Sequence, residues 1–149
     1  MRYSRHLTLD ELQQPFSAEI SHAKCVQTAN AYYTLAAGEG DTLTVSHLLG
    51  VVYITYFIDD MMEGNFPLEL FRVAETALRE CEASGQRSGK FDMPVALQIE
   101  MQCVLCLYIQ HLTHAPIFFH VYAAERAAEF PSSDSASPIP REPTQHSTR

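Results

Sequence analysis

The sequence predicts an all-α protein: a compact helical bundle of five to six helices with two nearly all-apolar central helices and disordered termini. Helix caps and helix breakers recur along the chain, apolar residues repeat at helical spacing, and no segment alternates as a strand with a partner to pair with. A chain of 149 residues with 46% hydrophobic content is long enough to bury one core. We expect a flexible N-terminus at 1–7, one helical domain at 8–130, and a disordered tail rich in Pro, Ser and Thr at 131–149.

Local capping signals predict the first two helices. Thr8 and Glu11 have the spacing of a capping box, in which each side chain bonds the backbone of the other, and Pro15 ends the short helix that follows. Ser17 can cap a second helix, which Gly38 ends. The predicted ranges are 8–14 and 18–37.

The third and fourth helices meet at a short turn. Asp41, Thr42 or Thr44 can start the third helix, which reaches Met62 and ends by Gly64. Pro67 fits the first position of the fourth, where its missing N–H costs nothing. Its predicted apolar stripe is Leu70, Phe71, Ala74, Ala77, Leu78 and Cys81.

An ion pair is predicted on the solvent side of the fourth helix. Glu75 and Arg79 are four residues apart, with the acid on the N-terminal side, which is the favourable order. After this helix we expect a flexible connection at 83–92.

The fifth helix is expected to begin at Asp92 and Pro94 and to reach Thr113. Pro116 closes it and can open a sixth helix over 117–130. The first six residues of that range, "IFFHVY", also have strand propensity, but no matching strand occurs elsewhere.

Charge and cysteine content limit the compartment and the partners. A net charge of −8, without any stripe of basic residues, disfavours direct nucleic-acid binding. The N-terminus has no continuous apolar segment typical of a secretory signal. We interpret the four cysteines as reduced and expect a cytoplasmic protein. They are Cys25, Cys81, Cys103 and Cys106.

Two predicted helices are apolar around most of their circumference, at 43–58 and 95–112. Both are too short or too polar for a typical transmembrane span, so we expect no membrane insertion. Apolar surface left uncovered would mark an interface, most simply that of a homodimer. The predicted partner-binding residues are Leu48, Val52, Tyr53, Tyr56, Phe57, Asp59, Asp60, Met62, Glu63 and Tyr108.

An acidic cluster follows the first apolar helix. Asp59, Asp60 and Glu63 spell D-D-x-x-E, which is similar to the aspartate-rich motif of prenyl synthases. The resemblance covers these five positions and implies carboxylates that hold Mg²⁺ against a diphosphate. Carboxylates one helical turn apart share a face, and oxygen ligands suit Mg²⁺. The alternative interpretation is a solvated helix end.

A second pattern, "CVLCLYIQHLTH" at 103–114, has the residue types of a zinc site. On one continuous helix, however, Cys103 and His111 would be about 12 Å apart along the axis, too far to share one zinc ion. We therefore predict no metal or other cofactor. The chain also contains no nucleophile elbow, P-loop or dinucleotide-binding turn, so no catalytic residue is predicted.

These observations favour a small cytoplasmic regulatory interaction protein, a homodimer that binds and modulates another protein. An inhibitor or antiactivator that covers a partner's apolar or dimerisation surface is the concrete form, and a transcription regulator is one candidate partner. The first alternative is a small Mg²⁺-dependent or ligand-binding helical enzyme that uses Asp59, Asp60 and Glu63. The second is a self-associating scaffold.

Overall fold

The computed structural model describes residues 7–130 and 136–140. Within these residues the chain forms six α-helices and no β-strand, which confirms the predicted all-α class. A 3₁₀ turn, Val95–Leu97, precedes the fifth helix. The helices are α1 (Leu9–Leu12), α2 (Ala18–Ala36), α3 (Thr42–Met61), α4 (Leu68–Ser88), α5 (Gln98–His114) and α6 (Ile117–Ala127).

The predicted N-caps are present in the structure. Thr8 and Glu11 form the reciprocal capping box, with backbone-to-side-chain bonds of 2.9 and 3.1 Å. Ser17 caps α2, and the Asp41 carboxylate accepts the backbone N–H of Thr44 at 2.9 Å to cap α3. The first backbone N–H groups of a helix have no partner within the helix, and each cap side chain accepts a hydrogen bond from one of them. The starts of these helices therefore depend on residues close by in the sequence.

The predicted flexible connection at 83–92 is wrong over its first half, because α4 continues to Ser88. The Phe91 ring packs directly against Gly85, where a Cβ would lie 2.2 Å from the ring. Only glycine allows this contact, which fastens the end of α4 to the chain that follows it. Gly89 then ends the helix in the left-handed conformation, at φ 81°.

The start of α5 also differs from the prediction. The chain from Asp92 to Pro94 is extended or irregular, Met93 is buried, and α5 begins only at Gln98. The segment 117–122, for which a strand was the alternative, is helical and opens α6 directly after Pro116.

Helix α3 is the centre of the bundle. It contacts α2, α4, α5 and α6, and nine of its residues are buried. Helix α5, the other apolar helix, packs against α2, α3 and α4 and leaves its remaining side uncovered. The two apolar helices therefore differ in position: one is central and one is partly peripheral.

Helix α2 is attached to its neighbours through hydroxyl groups as well as apolar contacts. The Ser21 hydroxyl donates to the Leu112 carbonyl at 2.9 Å, and the Gln102 amide donates to the Tyr32 hydroxyl at 2.8 Å. Early residues of α2 thus meet late residues of α5 and late residues meet early ones. The two helices are antiparallel.

Residues 136–140 differ from the prediction of a tail that buries no apolar surface. Ile139 is 5% exposed and belongs to the core, and the Arg72 guanidinium on α4 donates to the Pro140 carbonyl at 2.8 Å. The predictions of disorder at 1–6, 131–135 and 141–149 lie outside the described residues.

Candidate functional site

Half of the predicted partner-binding residues lie in the core. Leu48, Val52, Tyr53 and Phe57 are buried on α3, and Tyr108 is buried on α5. Helices α2, α4, α5 and α6 all pack against α3. These five side chains are not available as a partner surface in this fold, which corrects the sequence-based assignment.

The other predicted residues lie at the C-terminal end of α3. Met62, Asp60 and Glu63 are exposed, whereas Tyr56 is half-buried and stacks edge-on against Phe71 at 5.7 Å between ring centroids. The end of α3 therefore presents one apolar and two acidic side chains to its surroundings.

Asp59 does not join the other two acids in a ligand cluster. Its carboxylate accepts the backbone N–H of Phe66, and Gly64 lies so close that a Cβ there would be 2.2 Å from the Asp59 carboxylate. Burial raises the pKa of Asp59. No group of three His, Cys, Asp or Glu in the described part of the chain could hold a metal ion. The geometry thus assigns Asp59 to closure of the α3–α4 loop and gives the magnesium hypothesis no support.

A buried polar cluster joins α3 to α4, and the sequence did not indicate it. Glu75 and Arg79 form the predicted ion pair at 3.2 Å, but Glu75 is 8% exposed and does not lie on the solvent side as predicted. The Tyr53 hydroxyl donates to the same carboxylate, and both burial and Glu75 raise the pKa of Tyr53. Three polar groups satisfy one another here, which suits a structural role.

Two segments, Thr42–Met61 and Val95–His114, are long and apolar enough to cross a membrane by length and composition alone. The core helix of a soluble protein can be equally long and apolar. The buried fraction of each segment therefore distinguishes a core helix from a helix with uncovered apolar surface. Half of the window on α3 is buried in the bundle, against 33% of the window that contains α5. The apolar surface without a cover therefore belongs to α5.

The exposed side of α5 continues onto α2 and forms one surface, which we call the α2–α5 face. Ile99 and Tyr33 are its most exposed apolar side chains, at 70% and 67%. A shallow groove of about 220 Å³ runs between the two helices there. The α2–α5 face consists of Val26, Ala29, Tyr33, Ile99, Gln102, Cys106 and Ile109.

This face is uncharged on an acidic protein. No Asp, Glu, Lys or Arg occurs at 25–37 on α2 or at 101–114 on α5, although the chain has a net charge of −8. Surfaces of monomers usually mix apolar and charged side chains, and depletion of charge is typical of interface centres.

A separate cleft of about 520 Å³ lies between α1, the first turns of α2, and α6. Lys24 and His120 line it, and Ile54 and Tyr108 contribute from α3 and α5. The Lys24 ammonium is 5.2 Å from the centroid of the Phe16 ring. Nothing in the sequence pattern brings these residues together, because the walls come from five helices and the loop between α1 and α2.

Two buried histidines lie beside the cleft. The His120 ring donates through Nε2 to the His111 carbonyl at 3.0 Å and packs against Phe16, with 4.8 Å between ring centroids. Burial lowers the pKa of His120, and Lys24 lowers it further. Burial, with help from His120, lowers the pKa of His111 to about 4. Both rings are therefore neutral near pH 7.

The fold and its surfaces define a small all-α bundle with one uncharged apolar face and one mixed cleft. No protein family matches the chain, and no similar protein was found among curated sequences or solved structures.

Proposed function

We propose that the protein is a small interaction protein that forms a homodimer through the α2–α5 face and acts by binding another protein. One observation carries the proposal: α5 is an apolar helix with an uncharged side that nothing in the described chain covers. Exposed apolar area of this kind is costly in water and usually marks an interface.

Charge favours a second copy of the chain as the occupant of the face. Two molecules that each carry a net charge of −8 repel one another, so they associate most easily where neither presents a charge. The α2–α5 face is such a place. A two-fold axis would bring the same patch of both subunits together, as in most homodimers.

Tyr33 and Ile109 suit the centre of such an interface. Tyrosine combines a large apolar ring with a hydroxyl that tolerates partial hydration, and aromatic side chains are enriched at interfaces. Both residues line the groove between the two helices. A side chain from the second subunit could fill this groove.

The second part of the proposal concerns the regulated partner. Met62 with Asp60 and Glu63 remains exposed at the end of α3, away from the α2–α5 face. An apolar residue flanked by two acids suits a partner with a basic rim around an apolar contact. A cytoplasmic inhibitor or antiactivator, acting on a transcription regulator or a similar protein, is the form that we propose.

Sedimentation equilibrium and light scattering at micromolar concentration test the dimer. We expect the wild-type protein to be a dimer and the Ile109→Glu variant to be a monomer with an unchanged circular dichroism spectrum, because a buried charge opposes association. The matched control is Leu43→Glu, since Leu43 is 77% exposed on α3 outside the face. This control should remain dimeric.

A wild-type protein that stays monomeric at these concentrations would overturn the dimer. If that monomer binds phosphatidylcholine vesicles through the same face, the occupant of the face is lipid.

Affinity capture from the native host tests the partner site. A partner retained by the wild-type protein should be lost when Asp60 and Glu63 are both replaced by lysine, and retained when the exposed Glu39 is replaced by lysine instead. Equal capture by both variants would contradict the assignment of this surface.

A further inference from the structure

We propose that the cleft between α1, α2 and α6 binds a small amphipathic carboxylate, with an apolar body against the cleft walls and its anionic end at Lys24. This inference is independent of the proposed function, because the cleft and the α2–α5 face have no lining residue in common.

The size and walls of the cleft fit a small ligand. Its volume of about 520 Å³ lies within the range of about 300–1,000 Å³ typical of small-molecule sites. Apolar walls with a few polar groups are also typical of such sites. The apolar walls are Leu7, Pro15, Phe16, Ile20, Ile54, Ile117, Val121 and Ala124.

Lys24 determines the charge of the ligand. It is the one Lys or Arg among the described lining residues, and no carboxylate or other acceptor in the described chain pairs with its ammonium group. A cation–π contact with the Phe16 ring stabilises this ammonium group. A half-buried cation that makes no ion pair in the described chain favours an anionic ligand.

The other titratable groups of the described cleft lining make no ion pair with Lys24. Glu11 lies in the lining, but its carboxylate accepts the Thr8 backbone N–H in the α1 capping box. His120 is neutral, and burial keeps the pKa of Tyr108 above its ordinary value. The described lining thus holds one cation, Lys24, and one carboxylate, Glu11, which is engaged in the α1 capping box, and its other walls are uncharged.

One cation with apolar walls favours a monocarboxylate over a phosphate ester. Phosphate groups carry more charge and are usually held by several Lys or Arg side chains or by a series of backbone N–H groups. A single ammonium at the edge of an apolar cleft matches a ligand with one charge and a hydrocarbon body.

The pKa values of two neighbouring histidines report ligand binding at Lys24 independently of calorimetry. Lys24 contributes to the lowered pKa of both His47 and His120. A carboxylate bound at Lys24 offsets this positive charge, so the pKa of each imidazole should rise on binding. A ligand bound elsewhere on the protein would leave both values unchanged.

Titration with sodium decanoate, followed by isothermal calorimetry and by histidine NMR resonances, tests the proposal. We expect saturable binding at one site per chain, with the His120 resonances shifted. Replacement of Lys24 by methionine should weaken binding by at least about tenfold, whereas Lys24→Arg should retain most of it. The exposed Lys90→Met variant is the matched control.

Decanol, which has the same apolar body without the charge, should bind at least about tenfold more weakly than decanoate. The proposal is overturned if decanoate does not bind saturably, if decanol binds equally well, or if Lys24→Met has no effect. Repeating the titration with the Ile109→Glu variant separates this result from the fate of the proposed dimer, because the cleft should bind decanoate in the monomer as well.

Discussion

The hydroxyl of Tyr53 donates a 2.5 Å hydrogen bond to the carboxylate of Glu75, which joins α3 to α4 inside the bundle. The Arg79 guanidinium donates to both partners, at 3.1 and 3.2 Å. A buried carboxylate is stable only when its oxygens are bonded, so this cluster holds the acidic side chain in the core.

Replacing Tyr53 by phenylalanine should lower the free energy of unfolding by about 1.5–3 kcal/mol, the usual range for a hydrogen bond to a charged group. The ring packing is kept and only the bond to Glu75 is lost. Urea denaturation measures the change. Tyr122→Phe is the control: the Tyr122 hydroxyl accepts from Arg126 at the surface, and its loss should change stability by less than about 0.5 kcal/mol. Equal effects of the two substitutions would contradict a structural role for the cluster.

Mild acid should destabilise the protein through His111. In the unfolded chain this ring takes up a proton near pH 6.5, whereas in the folded state burial lowers its pKa to about 4. The unfolded state therefore binds more protons between these values, and the free energy of unfolding falls as the pH falls through this window. The loss from this one residue is at most about 3 kcal/mol and is absent above the window.

Urea denaturation between pH 7.5 and pH 5 measures this slope, and His111→Gln should make it shallower. His120 and His47, whose pKa values burial also lowers, should account for part of what remains. A His111→Gln protein with the full slope would show that this imidazole is not held neutral.

Two glycine substitutions in helices should have opposite signs. Gly85→Ala places a Cβ 2.2 Å from the Phe91 ring, so we expect it to lower the melting temperature, with a cost of about 1–3 kcal/mol. Gly50→Ala in α3 meets no atom within 4 Å and should stabilise the protein by about 0.5–1 kcal/mol through helix propensity. Thermal denaturation of both variants measures the two changes in melting temperature. Stabilisation by Gly85→Ala would contradict the packing of Phe91 on α4.

Ile139 should contribute to stability although it lies in a segment rich in Pro and Ser. Ile139→Ala removes a side chain that is 5% exposed and should cost about 2–5 kcal/mol. Leu9→Ala is the control, because Leu9 is 74% exposed and its loss should be nearly neutral. Unfolding curves for the two variants that coincide with the wild type would show that residues 136–140 do not pack on the core in solution.

Local chemistry made the helix starts predictable. The caps at Thr8, Ser17 and Asp41 depend on residues within three positions, so the sequence contains all the information. The end of α4 was not predictable in this way. Gly85 and two serines suggest a loop, and only the distant packing of Phe91 explains why the helix continues.

The candidate surfaces depend on tertiary position, and the sequence determined them less well. The apolar helices α3 and α5 have similar composition, and the greater burial of α3 depends on which helices pack around it. Val52 and Phe57 were thus assigned to a surface that they do not reach. Glu75 meets Tyr53 across 22 positions, and the cleft at Lys24 draws its walls from five helices and a connecting loop, which no local pattern encodes.

The hydroxyl-rich attachment of α2 has a consequence for local opening of the native state. Only four residues of α2 are buried, and three of them are Ser21, Thr28 and Tyr32. Detaching this helix exposes little apolar area and returns these hydroxyl groups to water, so we expect α2 to open at a lower free energy than α3. In native-state hydrogen exchange, the amides of α2 should lose protection before those of α3. Because α2 contributes Lys24 to the cleft and Tyr33 to the α2–α5 face, one local fluctuation would release both surfaces together.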